Sequence, residues 1–426
     1  MEILAQLLMV ATLIIMLTGK TPLYTTAIVG STIAGLVYGV PIAGDAEVTL
    51  RSLVVAGLNP VIADMAGVLV FIGVMEYAGY LDVLVRAIIR AGNKFGGGPG
   101  VATAGGVGAG IIGAFTGFTQ PSITGSITGP AAVKLGVDPN QTAGTTAHAG
   151  NLGNFAGFTH PTLLAIMGLV GLRFGWINAI GVATGTVIFT MAFMRMRKWM
   201  TQHQGVVEEV DQENAAHEFA ARPGDPSVWV AVLPFLVLVV AFSMGYPVFL
   251  VGFLVSLLVM IMARTNPAKS EQAMMESAKR VAVPLIATVG FLYMSGVIEA
   301  IGITRVMEQI FEPALSFAPI LTLVVISALA GLLTQSNSAS AAIIVPVVAL
   351  VLAYDPTISP LAVVAAAAGP TAIMQYFLTG GPVAALATVI PVVPGSDLKS
   401  SNRFMRPNLL VGLAAVTVIS VAIGGF

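Results

Sequence analysis

Two short polar stretches interrupt an apolar chain of 426 residues, and they do so in matching surroundings. The first is Gln120-Pro121-Ser122-Ile123-Thr124-Gly125-Ser126 and the second is Gln335-Ser336-Asn337-Ser338-Ala339-Ser340. Each lies between two apolar legs too short to cross a bilayer comfortably, and each second leg ends in Asp-Pro, at Asp138-Pro139 and Asp355-Pro356, about 217 residues apart. Irregular polar backbone at membrane depth is tolerated only where protein buries it or where it lines a cavity. The pattern therefore predicts two re-entrant helical hairpins, over 100–137 and 318–354. A pair of interrupted segments in corresponding halves is the best sequence pointer to a transporter's binding site.

Composition decides that a membrane is the solvent. The chain is 56% hydrophobic and 9% charged, whereas a soluble domain carries roughly 25% charged residues. Without cysteine it has no disulfide, thiolate metal site or catalytic thiol. A net charge of -1 argues against a nucleic-acid partner. Met1-Glu2-Ile3 carries no basic leader and no small-residue cleavage site, so the first apolar run reads as a retained helix.

In order, the first half reads as spans over 3–18, 21–40 and 60–77, then an amphipathic arm over 79–94 with Arg86, Arg90 and Lys94, then the first hairpin. A broken helix over 142–171 follows, with its break expected at Asn151–Gly157 before His160-Pro161, and then a last span over 176–193. Residues 199–226 form the one long polar stretch, a linker. The order then recurs, with spans over 228–245, 247–263 and from Pro284, an arm over 302–317, the second hairpin, a broken helix over 360–392 and a closing span over 409–423. The second break is expected around Gly369-Pro370 and Gly380-Gly381-Pro382.

The halves also match in detail. Gly73-Val74-Met75-Glu76-Tyr77-Ala78-Gly79 and Gly296-Val297-Ile298-Glu299-Ala300-Ile301-Gly302 share the pattern G-V-x-E-x-x-G. Matches recurring in one order near one offset indicate an internal repeat, with residues 1–198 and 227–426 as its members. If hairpins do not cross, each half of this all-α chain crosses five times, an odd count, and the second is inverted. The charges agree with that reading. With the first arm in the cytoplasm, the linker, 264–280 and 397–406 are cytoplasmic too. The 45–51 loop, the second arm and both termini are then extracytoplasmic, and a multi-pass protein of the inner membrane is expected.

Laid out this way, the chain resembles the ion transporter superfamily of secondary carriers, which includes the divalent-anion/sodium symporters and the gluconate permeases. Ser336-Asn337-Ser338 is close to the symporters' Ser-Asn-Thr tip, whereas Ser122-Ile123-Thr124 lacks the Asn. His148 before the break and Thr159-His160-Pro161-Thr162 after it are similar to the gluconate-permease pattern. The resemblance implies a substrate held between the two tips and the two broken helices, elevator-type movement of that core, and a homodimer.

The residues support an anion site on their own chemistry. Each second leg opens as a helix N-terminus, where unpaired N–H groups and the helix dipole favour an anion. Ser122, Thr124, Ser336, Asn337, Ser338 and Thr159 add donors, with Gln120 and Gln335 at one repeat position beside them. Their bland reading is back-bonding within a turn or gluing of helices. No other cofactor is implied, but a coupling ion is. Freed carbonyls at the breaks, with Asn151, Asn154 and Ser340, suit Na+, and His148 and His160 suit H+.

The expected function is H+- or Na+-coupled uptake of a small organic anion, a carboxylate or sugar acid. A cation/proton antiporter using Asp64, Glu76 and Glu299 is the alternative within transport, and a passive channel framed by the hairpins is another. An enzyme is not expected, since no phosphate-binding G-x-x-x-x-G-K-[ST] segment and no catalytic dyad is found.

Overall fold

The computed structural model describes residues 1–18, 21–58, 60–116, 121–203, 222–378 and 384–425. Lys20, Gln120, linker residues 204–221 and Gly380-Gly381-Pro382 lie outside the described residues, as does the side chain of Ser122. All regular structure among the described residues is helical. Among the described residues, six helical stretches are long and apolar enough to cross a membrane, namely Leu50–Tyr77, Tyr80–Thr116, Trp176–Gln202, Pro267–Ala300, Asn337–Tyr354 and Leu398–Gly424. The chain is an all-helical multi-pass membrane protein.

The order of elements is the same in both halves. Glu2–Leu17, Leu23–Tyr38 and Pro60–Tyr77 are followed by the arm and the first hairpin. Val228–Ser243, Val248–Ala263 and Ala282–Ala300 are followed by the second arm, Ile303–Phe317, and the second hairpin. Packing is reciprocal across the halves. Pro60–Tyr77 packs on Val248–Ala263, and Ala282–Ala300 packs on Leu23–Tyr38. The first of these crossings is close because glycines face each other. A Cβ on Gly252 would run into the Gly67 backbone, and one on Gly67 into the Phe249 backbone. Small residues at the seam let helices approach where lipid offers no hydrophobic drive to associate.

The first arm does not end where amphipathicity stops. Tyr80–Thr116 continues from arm into hairpin leg through a sharp reversal at Gly97, whose φ of 56° is the left-handed region that glycine enters without strain. Gly92 and Gly100 meet backbone to backbone across that reversal. The run Gly96-Gly97-Gly98-Pro99-Gly100 is therefore a hinge that turns arm into hairpin. Arg86 does more than set topology. One of its guanidinium nitrogens bridges both carboxylate oxygens of Asp225 at 2.9 Å, tying the arm to the end of the linker. The Arg222 backbone N–H and then Arg86 hold the Asp225 carboxyl below the usual carboxylate range.

The second hairpin is Pro319–Thr334 and Asn337–Tyr354. Its first leg has 16 residues, about 24 Å of helix at 1.5 Å per residue, short of a hydrocarbon core of about 30 Å. Gln335, with φ of 50°, makes the turn between the legs. In the first hairpin, Thr116 ends one leg and Pro121–Lys134 is the other.

The first broken helix breaks later than the sequence suggests, and the second runs past Gly369-Pro370, while the other expected break at Gly380-Gly381-Pro382 lies outside the described residues. In the first half, helices Pro139–Ala147 and Ala149–Ala156 run through Asn151 and Asn154, and the break is at 157–160 before Pro161–Val170. Weak helix formers in 150–154 suggested an earlier break, but burial overrides propensity there, with Asn151, Leu152 and Gly153 all buried. The carbonyls freed at the end of that helix have partners. Asn178 Nδ2 donates to Ala156 O at 3.0 Å and Gly157 O at 3.3 Å. In the second half, Gly369 and Pro370 lie inside helix Pro360–Met374, fully packed, and the helix ends at Gln375. Membrane helices tolerate an internal proline when neighbours satisfy the freed backbone.

Candidate functional site

The second hairpin tip is built first from its own hydroxyls. Ser336 caps the helix Asn337–Tyr354 by accepting the Ala339 N–H on Oγ. Ser340 Oγ lies 2.8 Å from the Ser336 carbonyl and 2.7 Å from the Thr334 hydroxyl. Ser340 is therefore engaged within the turn. Ser338 faces outward to Tyr24, whose hydroxyl it hydrogen-bonds from the Leu23–Tyr38 helix.

Asn337 is the residue that reaches across the molecule. Its amide nitrogen sits 3.2 Å from His160 Nδ1 and 3.4 Å from Nε2. The Thr162 hydroxyl donates to the Asn337 carbonyl at 2.8 Å, and the Asn337 N–H donates to Gln375 Oε1 at 3.1 Å. One tip residue thus joins the first half's break, through His160 and Thr162, to the end of the second half's broken helix. Thr159 and Gln335 flank this junction. The oxygens Thr159 Oγ1, Gln335 Oε1 and Asn337 Oδ1 are buried without a hydrogen-bond partner. Buried polar atoms are nearly always paired, and these three belong to the tip or to the residue before His160 in the chain.

The reciprocal junction is described in part. Helix Pro121–Lys134 packs on Ala384–Val389, as Asn337–Tyr354 packs on Pro161–Val170. There Thr124 donates to the Gly105 carbonyl at 2.9 Å, bracing the two legs of the first hairpin. Asn154 donates to the Tyr376 hydroxyl at 3.2 Å, linking the first half's helix to the stretch after Met374. Asn402 holds the Tyr376 carbonyl at 2.8 Å, and Arg406 Nε holds that of Phe377 at 3.0 Å.

His148 belongs to a separate buried chain. Arg195 donates to Asn408 Oδ1 at 2.8 Å, so the Asn408 amide turns its nitrogen to His148 Nε2 at 3.0 Å. Nε2 is then an acceptor and the ring proton is on Nδ1, 3.1 Å from the Asn151 amide. Turning the Asn151 amide over places Oδ1 against that proton and pairs an oxygen that is otherwise buried alone. His148 and Asn151 thus fix helix against helix, with no free oxygen left for a cation.

The carboxylates of the antiporter alternative are placed elsewhere. Asp64 accepts the backbone N–H groups of Val248 and Phe249, capping the neighbouring helix. Glu76 pairs with Arg280 at 3.2 Å and is 54% exposed, and Glu299 is exposed. An apolar cavity of about 1020 Å³ lies between Tyr80–Thr116 and Trp176–Gln202, lined by Phe115, Phe158, Phe189 and Phe193 among others. It includes none of the junction's polar residues, so chemistry and cavity do not coincide.

Sequence reasoning missed Gln375, Thr162 and Tyr376. Gln375 carried a signal, as a lone amide ending the apolar run from Ala362, but its partner is 38 residues away and unreadable from spacing.

Solved structures share this fold over nearly the whole chain. The YdaH transporter of Alcanivorax borkumensis, described as having an unusual topology, aligns with a TM-score of 0.60 at 16% identity over 98% of each chain. MtrF of Neisseria gonorrhoeae, described among a class of antimetabolite efflux pumps, aligns with a TM-score of 0.64 at 14% identity, over 95% of this chain and 96% of that one. No family model and no curated protein matches the sequence. At such identities the likeness is one of fold alone.

Proposed function

We propose that this protein is a secondary active transporter of a small organic anion, a carboxylate or sugar acid, driven by Na+ or H+. The observation that carries the reading is the Asn337 junction, a helix N-terminus inside the protein with three buried, unpartnered oxygens beside it. Thr159 donates its hydroxyl to the anion there, and the Gln335 and Asn337 amides turn over to present NH2 to it, which brings Asn337 Oδ1 to His160 in place of Nδ2. The halves are inverted repeats and the hairpins are re-entrant, a reading supported by the recurring helix order and the reciprocal packing. Movement is elevator-like, the protein pairs with a second copy in the inner membrane, and both termini are extracytoplasmic.

For coupling, His160 is the better proton candidate, because it touches the tip and His148 is held in its buried chain. A sodium ion would draw on the unpartnered oxygens at the tip, since Asn178 already holds the carbonyls at the first break. Uptake is the direction carried from sequence, and the likeness to MtrF favours efflux as a second reading. The antiporter reading is disfavoured by the capping role of Asp64 and the exposure of Glu76.

Thermal stabilisation of the purified protein by organic acids tests the reading, with sodium or potassium and across pH. A ligand that binds only the folded state raises the midpoint by mass action, about 2.7 kcal/mol at a hundredfold excess over Kd. A carboxylate shift is expected. Shifts from cations alone would overturn the anion assignment.

A further inference from the structure

We propose that the side-chain oxygen of Gln375 occupies the place of a substrate carboxylate oxygen at the second tip, and that substrate displaces it. The inference rests on the organic-anion reading above. The first turn of the 18-residue helix Asn337–Tyr354 offers N–H groups to an acceptor. Ser336 Oγ serves Ala339, and Gln375 Oε1 serves Asn337 at 3.1 Å. The orientation of the Gln375 amide is set at both ends, because its Nε2 donates to the Ala372 carbonyl at 3.0 Å. Gln375 is 5% exposed, so the bond is shielded from bulk solvent.

A neutral amide is a weak occupant of such a position. A carboxylate makes a charge-assisted hydrogen bond, roughly twice as strong, and also gains from the helix dipole. It would find a further donor in the Thr159 hydroxyl, which is buried and unpartnered. Gln375 stands at the end of helix Pro360–Met374, where regular structure gives way to turns and bends over 375–378. Its release from Asn337 therefore breaks no helical hydrogen bond of its own side chain's making beyond Ala372. Empty, the site is self-capped at two positions, with the Asn337 N–H on Gln375 and the Ala339 N–H on Ser336 through a transport cycle's unloaded return.

The test compares the full chain with Gln375→Met and Gln375→Glu, using gluconate, lactate, succinate, citrate and benzoate as probes in calorimetry. Met keeps the volume and removes the acceptor, and it is expected to bind the wild-type ligand about tenfold more tightly, as the loss of one competing hydrogen bond implies. Glu supplies its own carboxylate and is expected to bind none of the probes while still folded by gel filtration. Gln375→Ala gives the same comparison if the Met variant does not fold. Equal or weaker binding by the acceptor-less variants would overturn the proposal while leaving the carrier reading intact. Failure of every probe to bind either wild type or the acceptor-less variants would overturn both.

Discussion

Replacing Asn337 with alanine separates the tip's structural work from its work on substrate. The side chain makes one hydrogen bond, to His160, while the Thr162 and Gln375 contacts go to the Asn337 backbone and survive. Losing a hydrogen bond costs about 0.5–1.5 kcal/mol, and stranding a buried His160 nitrogen adds about 1–3 kcal/mol. Against this, the variant also removes Asn337 Oδ1, itself buried and unpartnered. The two stranded groups offset each other, so the folding cost should be that of the lost hydrogen bond, about 0.5–1.5 kcal/mol. A hydrogen bond to a charged ligand contributes about 1.5–3 kcal/mol, which is about 10–150-fold in affinity. Uptake into proteoliposomes, normalised to folded protein, should therefore fall by about that factor while the thermal midpoint drops by only a few degrees. Asn337→Asp sharpens the result, since a carboxylate at the tip repels an anion and attracts a cation. Normal uptake in Asn337→Ala, or retained transport in Asn337→Asp, would refute the assignment.

Other predictions concern the scaffold. Phe95 and Phe317, at the ends of the two arms, are 82% and 83% exposed. In this Cys-free chain, Phe95→Cys and Phe317→Cys should react with an impermeant maleimide from opposite sides of the membrane, and labelling from one side would remove the inverted repeat. Gly252→Val forces a side chain into the Gly67 backbone. Overpacking costs about 1–3 kcal/mol, and backbone cannot step aside as a rotamer can, so the thermal midpoint should fall clearly. An unchanged midpoint would show that the crossing is looser than described.

The second tip stands out in the sequence because polar residues are conspicuous where no water is expected, and Ser336-Asn337-Ser338 sits in apolar surroundings on both sides. The breaks were misplaced because propensity is local and their stability is not. Asn151 and Asn154 are poor helix formers in isolation, yet His148 and Tyr376 hold their side chains within the folded helix. Pro370 looked like a stop, but its helix is buried all round and its neighbours tolerate it. Roles at the tips divided in a way no spacing reveals. Thr124 and Ser340 turned inward to brace their hairpins, and Asn337 turned outward to the other half. The pairing of Asn337 with Gln375 depends on how two helices end at one point, which only the folded chain displays.

The central claim is that an anion moves through the junction against its gradient at the expense of an ion gradient. The direct measurement is accumulation of a radiolabelled carboxylate in proteoliposomes with an imposed Na+ gradient, an imposed H+ gradient, or neither. Accumulation above the outside concentration under one of the gradients, and absent without it, is the predicted result. Equilibration to equal concentrations regardless of either gradient would contradict the account and point to a passive pore.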